Sequence, residues 1–169
     1  TGALPGGPPE DLPGQWQGAL RAESGPWAIW GYGTEAERDS VVASRQGADS
    51  AARADLAERA GQRVTRLREM LVERLAGEGE EALPAEVVGQ ALKRAREIAV
   101  NESVIVRRER DADGTWHALA RGELETGLRE GAGNRLEPAQ AKRLMEAAGA
   151  ILAEGSPAQN GEESGDEGE

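Results

Sequence analysis

Residues 27–33 read WAIWGYG, and this short run decides how the flanking sequence folds. It combines aromatic and β-branched side chains and closes with two glycines, which is typical of a strand that ends in a tight exit. The chain of 169 residues has four Trp, one Tyr and no Phe, so Trp27, Trp30 and Tyr32 are most of its aromatic bulk. Side chains alternate across a strand, so Trp30 and Tyr32 share one face and Trp27 lies on the other. We expect Trp30 in the core and Trp27 nearer a partner or the preceding segment.

A long helix is predicted after this strand, because apolar residues recur every three or four positions with one turn skipped. The stripe comprises Val41, Ala48, Ala52, Leu56, Ala60, Val64, Leu67, Leu71 and Leu75. Its alanines allow the first half to lie close against a sheet, and its leucines fill a wider gap. The other faces carry many Arg among Glu and Asp, which most simply forms a solvated face with pairs three or four residues apart.

The remaining elements are marked by Pro and Gly. Pro84 begins a second helix, and a last helix runs from Pro138 to about residue 153. Between them, the runs SVIVRRER and TWHALARGEL flank an Asp-Gly at residues 113–114, which is a hairpin signal. The sequence therefore predicts an α+β fold. We expect a small antiparallel sheet of about three strands packed against one long helix, with two shorter helices.

The two ends differ in composition from residues 27–153, which we interpret as one α+β domain. Residues 1–26 are rich in Pro and Gly, and we interpret them as a semi-extended tether. Trp16, with Leu12 and Leu20 four residues to either side, forms either a short docking turn or an exposed point on that tether. Residues 154–169 hold six acids, no base and no large apolar residue, so they are predicted to be a disordered acidic tail.

Charge and composition exclude several classes of function. The net charge is −11, and no cluster of Lys and Arg stands in excess, so we expect no nucleic-acid partner and no binding to an anionic membrane surface. The absence of Cys removes thiol catalysis and thiolate metal sites. No apolar run approaches the length of about 20 residues that a membrane span needs. The first residue is not Met, so we expect a processed or truncated start.

No catalytic, cofactor or metal site is predicted. His117 is the only imidazole, and no converging carboxylates accompany it in the sequence, so we interpret it as structural. Glu109, Asp111, Asp113 and Gly114 occupy positions 1, 3, 5 and 6 of a calcium loop, but Ala120 stands where the loop needs its bidentate Glu. These residues therefore indicate a plain hairpin turn.

The pattern of this chain resembles the lipoprotein-20 family of bacterial envelope proteins. The resemblance rests on WAIWGYG, on the helix SRQGADSAARADLAERAGQRV and on the hairpin VNESVIVRRERDADGTWHALARGELE, and it covers about residues 27–126. The residues that stand at the places of the family pattern, or that we expect to pack around them, are Trp27, Trp30, Tyr32, Gly33, Ala52, Leu56, Gly61, Val64 and Trp116.

The resemblance implies a non-enzymatic structural protein on the periplasmic side of the outer membrane. It also implies self-assembly into rings or discs, other envelope or flagellar basal-body proteins as partners, and a lipid anchor on a Cys preceding Thr1 in the precursor. Arg59, Arg63 and Arg66 on the long helix are candidates for ion pairs between subunits, with pairs inside the helix as the alternative. A sheet with one face and its edges open would support such contacts.

Two other functions remain open at the level of sequence. One is a soluble interaction module that uses the acidic tail and is not bound to the envelope. The other is an enzyme or small-ligand carrier with an anion pocket lined by Arg107, Arg121 and His117.

Overall fold

The computed structural model describes residues 4–9, 12, 13, 16, 20, 25–76 and 83–154. In chain order the elements are β1 (Ala28–Glu35), α1 (Val41–Ala76), α2 (Ala85–Asn101), β2 (Val104–Arg110), β3 (Trp116–Glu123), α3 (Glu125–Gly133) and α4 (Pro138–Glu154). The predicted α+β class, the long helix and the three-stranded sheet are confirmed. Helix α3 was not predicted. The acidic tail beyond Glu154 lies outside the described residues.

The sheet has the order β1-β3-β2, and both pairs of neighbours are antiparallel. The predicted hairpin between β2 and β3 is confirmed, and Gly114 takes a positive φ of 92° in its turn. In the same turn the backbone N–H of Thr115 donates to Asp113, which lowers the pKa of that carboxyl. The central strand β3 joins both edges, so one edge of the sheet is β1 and the other is β2.

Helix α1 lies directly on the backbone of β1, and two glycines allow this approach. A Cβ on Gly31 would lie 2.3 Å from the carbonyl oxygen of Ala52, and one on Gly33 would lie 2.2 Å from the nitrogen of Ala52. These distances are too short for any side chain. We interpreted the glycines as a strand exit, and that interpretation was wrong, because β1 continues through them to Glu35.

The main core lies between this face of the sheet and the helices. Along α1 the buried stripe is Ser44, Ala48, Ala52, Leu56, Ala60, Arg63, Leu67, Leu71 and Leu75. Two members of the predicted stripe are therefore displaced, since Val41 is exposed and Val64 is only partly buried. Helices α2 and α4 pack against α1, and α3 packs against α2 and α4, so that the helices together complete the core.

The second face of the sheet carries a smaller core, and N-terminal residues cover it. We call the described residues 4–9, 12, 13, 16 and 20 the strap. Its side chains Leu12, Trp16 and Leu20 are 6%, 4% and 1% exposed and pack with Ala28, Trp30 and Leu119. These residues form part of the folded domain and not a free tether, so of the two readings of Trp16 the docking turn is the one observed.

Trp30 and Trp27 differ in burial, and the strap covers only Trp30. Trp30 is fully buried, as predicted, in the smaller core beneath the strap. Trp27 is half-buried on the opposite face, where it packs against the main core and approaches Gly149 of α4. Trp27 therefore does not lie with the strap residues Leu12, Trp16 and Leu20, and its expected place near a partner stays a prediction.

The contact between α1 and β1 can be tested with single methyl groups. We expect Gly31→Ala and Gly33→Ala each to lower the free energy of unfolding by about 1–3 kcal/mol or more, because the added methyl overlaps helix backbone that cannot rotate away. Urea denaturation measures this change.

Gly149→Ala is the matched control. Its Cβ would lie 3.5 Å from the ring of Trp27, an ordinary contact, and Gly149 lies inside helix α4. We expect this change to stabilise the protein by about 0.5–1 kcal/mol. Equal effects at the three glycines would contradict the packing described for β1.

Candidate functional site

The outer edge of β1 is closed by groups from the same chain. In an edge strand, every second residue directs its N–H and C=O away from the sheet. Trp30 N–H donates to the carbonyl of Gly6 at 3.0 Å, and Tyr32 N–H donates to Asp55 at 2.9 Å. The carbonyl of Ala28 accepts from the guanidinium of Arg63 at 2.5 Å. Three successive outward positions therefore have partners, one of them from the strap.

Arg63 is buried in the interior. From the sequence we had expected it on a solvated face that contacts a partner. That prediction was wrong. The residue is 5% exposed, and burial lowers the pKa of its guanidinium to about 10 because the charged form loses water. Its Nε has no hydrogen-bond partner. The side chain passes close to strap residue Gly6, so Arg63 ties α1 to the β1 edge beneath the strap.

The other two arginines proposed for subunit contacts form pairs within the chain. Arg59 binds Asp55 at 3.0 Å and also donates to the carbonyl of Gly7 at 3.3 Å. It therefore links the carboxylate that caps Tyr32 N–H to the strap. Arg66 is exposed and pairs with Glu69 at 3.1 Å, one turn along the same helix. Such an exposed pair contributes little stability and leaves Arg66 accessible.

His117 lies between two partners on the strap side of the sheet. Its Nδ1 is 2.5 Å from the hydroxyl of Tyr32, and its Nε2 is 2.6 Å from the carboxylate of Asp111. A neutral imidazole satisfies both contacts when Nε2–H donates to Asp111 and Nδ1 accepts from the tyrosine hydroxyl. Trp16 of the strap meets the Tyr32 ring edge-on, with ring centroids 6.5 Å apart. The contacts from Asp111 through His117 therefore hold the Tyr32 ring in place, and Trp16 of the strap packs against that ring.

Of the three residues suggested for an anion pocket, His117 and Arg121 make separate contacts. His117 is engaged by Tyr32 and Asp111, and the guanidinium of Arg121 lies over the ring of Trp30, 5.7 Å from its centroid. Arg107 is opposite Leu119 in the ladder between β2 and β3. His117 and Arg121 therefore belong to different sets of contacts along the sheet.

The β2 edge differs from the β1 edge. Within the described residues, the backbone of β2 forms hydrogen bonds with β3 and with no other strand or loop. Val104 and Val106 are 53% and 39% exposed, and the register shifts between Ile105 and Arg107. The apolar start of β2 is therefore a sheet edge that none of the described residues covers.

The second half of β2 is charged, and two of its arginines form ion pairs with α1 and with the segment before α1. Arg108 makes two hydrogen bonds to Asp49 of α1, at 2.8 and 2.7 Å, and the bond to Asp49 raises the pKa of Arg108. Arg110 binds Glu37 at 2.6 Å. Charges on an edge oppose pairing with another strand, so accessible pairing is confined to the part of β2 that begins at Val104.

The residues that carry the family-like pattern lie mainly at contacts between elements. Gly33, Ala52 and Leu56 meet where α1 crosses β1. Gly61 lies on α1 against Arg96 of α2, and Val64 and Trp116 pack against the main core. The sequence missed the edge cap of Gly6, Asp55 and Arg63, because each of those groups meets β1 only after the chain has folded.

No family model matches this sequence, and a search of the curated proteins finds no relative. The resemblance to the lipoprotein-20 family therefore rests on the residue pattern. In the part of the chain that the structure describes, no helix has the length and apolar character to cross a membrane. Those residues also contain no group of three or more His, Cys, Asp or Glu side chains placed to hold a metal ion.

The seating of the strap can be tested through its central anchor. We expect Trp16→Ala to lower the free energy of unfolding by about 3 kcal/mol, because it empties the position between Tyr32 and the smaller core. Chemical denaturation followed by far-UV circular dichroism measures the change. Arg66→Ala is the control, with an expected change within about 0.5 kcal/mol, since its pair is exposed. A loss below 1 kcal/mol for Trp16→Ala would show that the strap is not seated on the sheet.

Proposed function

We propose that this chain is a non-enzymatic structural protein of the bacterial cell envelope that assembles with copies of itself. The envelope setting, the periplasmic side of the outer membrane and the link to the flagellar basal body come from the resemblance to the lipoprotein-20 family. A lipid anchor on a Cys preceding Thr1 belongs to the same proposal. The structure supports the self-assembly part through one observation, which is that the apolar start of β2 is exposed and has no cover in the described part of the chain.

The contrast between the two sheet edges is the physical argument. An unpaired edge presents backbone donors and acceptors that another strand can use, and folded proteins usually protect such edges. The β1 edge is protected at three successive outward positions by Gly6, Asp55 and Arg63. The first residues of β2 have no equivalent cover among the described residues, and their exposed side chains are valines. A second copy that pairs here covers both the backbone groups and the apolar side chains.

An interaction module outside the envelope is the second candidate, because the same edge of β2 would accept an extended peptide from an unrelated protein. The two candidates differ in where the native protein resides. Envelope proteins sediment with washed membranes, and an acylated N-terminus adds the mass of its lipid. Recovery of the native protein only from the soluble cytoplasmic fraction, without added mass, would contradict the envelope proposal and favour the module.

Self-assembly through β2 predicts a specific effect of charge. We expect the full chain to form a discrete oligomer in a light-scattering concentration series. Val104→Lys and Val106→Lys should each raise the concentration needed for assembly at least tenfold, because a charged side chain on an edge opposes strand pairing.

Val42→Lys is the matched control, because Val42 is 51% exposed but belongs to the first turn of α1 and not to a strand. We expect it to leave assembly unchanged. A chain that stays monomeric at every concentration would overturn self-assembly of the isolated protein. Equal effects of the three lysines would exclude the edge as the contact.

A further inference from the structure

The only Tyr and the only His of the chain are hydrogen-bonded to each other. The hydroxyl of Tyr32 lies 2.5 Å from Nδ1 of His117, and Nε2 of the same ring lies 2.6 Å from the carboxylate of Asp111. The carboxylate that the sequence did not place beside His117 is therefore supplied by the turn between β2 and β3. A hydroxyl, an imidazole and a carboxylate in this order form the arrangement in which a general base activates a nucleophile.

The two hydrogen bonds determine which ring nitrogen is able to act as a base. The carboxylate of Asp111 accepts from Nε2–H, so the neutral imidazole keeps its lone pair on Nδ1, the atom next to the tyrosine hydroxyl. When Nδ1 takes the phenolic proton, the ring becomes a cation, and Asp111 stabilises that cation from the other side. His117 is therefore in the tautomer and the position that proton removal from Tyr32 requires.

The three side chains differ in exposure, and the series runs from the sheet to the surface. Tyr32 is partly buried, the side chain of His117 is 13% exposed, and that of Asp111 is 48% exposed. Trp16 packs edge-on against the tyrosine ring, with ring centroids 6.5 Å apart. The phenol is thus held against its base, and the base and its carboxylate have contact with solvent.

The charges at this turn indicate which electrophile is able to approach. Asp111 binds the imidazole directly. The pKa of Asp113 is lowered chiefly by its hydrogen bonds to Thr115 and to a smaller extent by the charge of His117, so this carboxylate also acts on the ring. Two carboxylates oppose an anionic donor such as a phosphoryl compound. A neutral ester with a good leaving group meets no such repulsion.

We propose that Tyr32 is a site of covalent acylation, with His117 as its general base and Asp111 as the residue that positions the base. The donor is a neutral, activated acyl ester. The phenolic oxygen forms a bond to the carbonyl carbon while its proton passes to Nδ1 of His117. The bond to the leaving oxygen then breaks, and that oxygen takes the proton from Nδ1. The products are a tyrosine ester and a free alcohol, so the acyl group stays on the chain.

Acetylation of the full chain by p-nitrophenyl acetate tests the site. Tandem mass spectrometry locates the ester without ambiguity, because the chain has a single Tyr. At neutral pH we expect Tyr32 to react about 100-fold faster than N-acetyltyrosine amide, since a positioned general base contributes about 10²–10⁴ in rate. The exposed residues Lys93 and Lys142 are acetylated in the same sample and serve as the internal control.

Four variants separate the roles of the three residues. Tyr32→Phe keeps the ring against Trp16 and should abolish the ester. His117→Gln should lower the rate at Tyr32 about 100-fold, because an amide forms hydrogen bonds but removes no proton. Asp111→Asn should lower it about tenfold, since Asn accepts from Nε2–H but does not stabilise the imidazolium, and Asp111→Glu should restore most of the rate. The rates at the two lysines should stay unchanged throughout.

The pH profile of the unaltered chain tests the base without any substitution. With His117 as the base, the rate at Tyr32 should level off well below about pH 10, where a free phenol ionises. A rate that only follows phenol ionisation up to that pH would overturn the proposal. So would acetylation of Tyr32 no faster than that of N-acetyltyrosine amide, or an unchanged rate in His117→Gln. The proposal does not depend on self-assembly, because none of its three residues lies at the start of β2.

Discussion

The rest of the structure depends on the direct contact between the backbones of α1 and β1. At Gly31 and Gly33 the helix lies so close that no Cβ fits between the two elements. This approach places Asp55, Arg59 and Arg63 of the helix beside the outer edge of β1, where two of them bind its backbone and the third holds the strap. A larger residue at either glycine would move the helix outward and remove the edge cap together with the packing. The closed edge is thus a consequence of the glycines.

The sheet has two unlike edges, because the outer edge of β1 is closed, and it also has two unlike faces. One face is covered by α1 and the main core, and the other is covered by the strap. One edge carries partners at successive outward groups, whereas the apolar start of β2 is uncovered among the described residues. Arg63 illustrates the balance of forces at this boundary. Burial of its charge is unfavourable, but the charge-assisted hydrogen bond to Ala28 satisfies a carbonyl that would otherwise lack a partner.

The sequence predicted the elements that have local signals and missed the contacts that form only after folding. Strand β1, helix α1 and the β2–β3 hairpin follow from periodicity, from Pro and Gly and from the Asp-Gly turn. Helix α3 was not predicted, because its three glycines give it low helix propensity. Close packing on α2 stabilises it instead, with Gly127 against Ala95 and Gly131 against Ala91. The strap has the composition of a linker, and only the apolar face of β1 and β3 gives its Leu and Trp a binding surface. Arg63 falls on the apolar stripe by spacing, but its charge argued for a solvated position.

The strap also gives the domain a mechanical property. A tension applied ahead of Leu4 acts first on the bond between Gly6 and Trp30 and then on the anchors Leu12, Trp16 and Leu20, and it reaches β1 itself only beyond Gly25. These contacts open one after another, whereas the ladder between β1 and β3 shares its load over many bonds. Fully extended, residues 4–25 span at most about 70 Å at about 3.3 Å per residue, so the length gained on detachment is that figure less the distance the segment already covers. By this order of contacts, a pull on the N-terminal side acts on the strap before it acts on the ladder between β1 and β3.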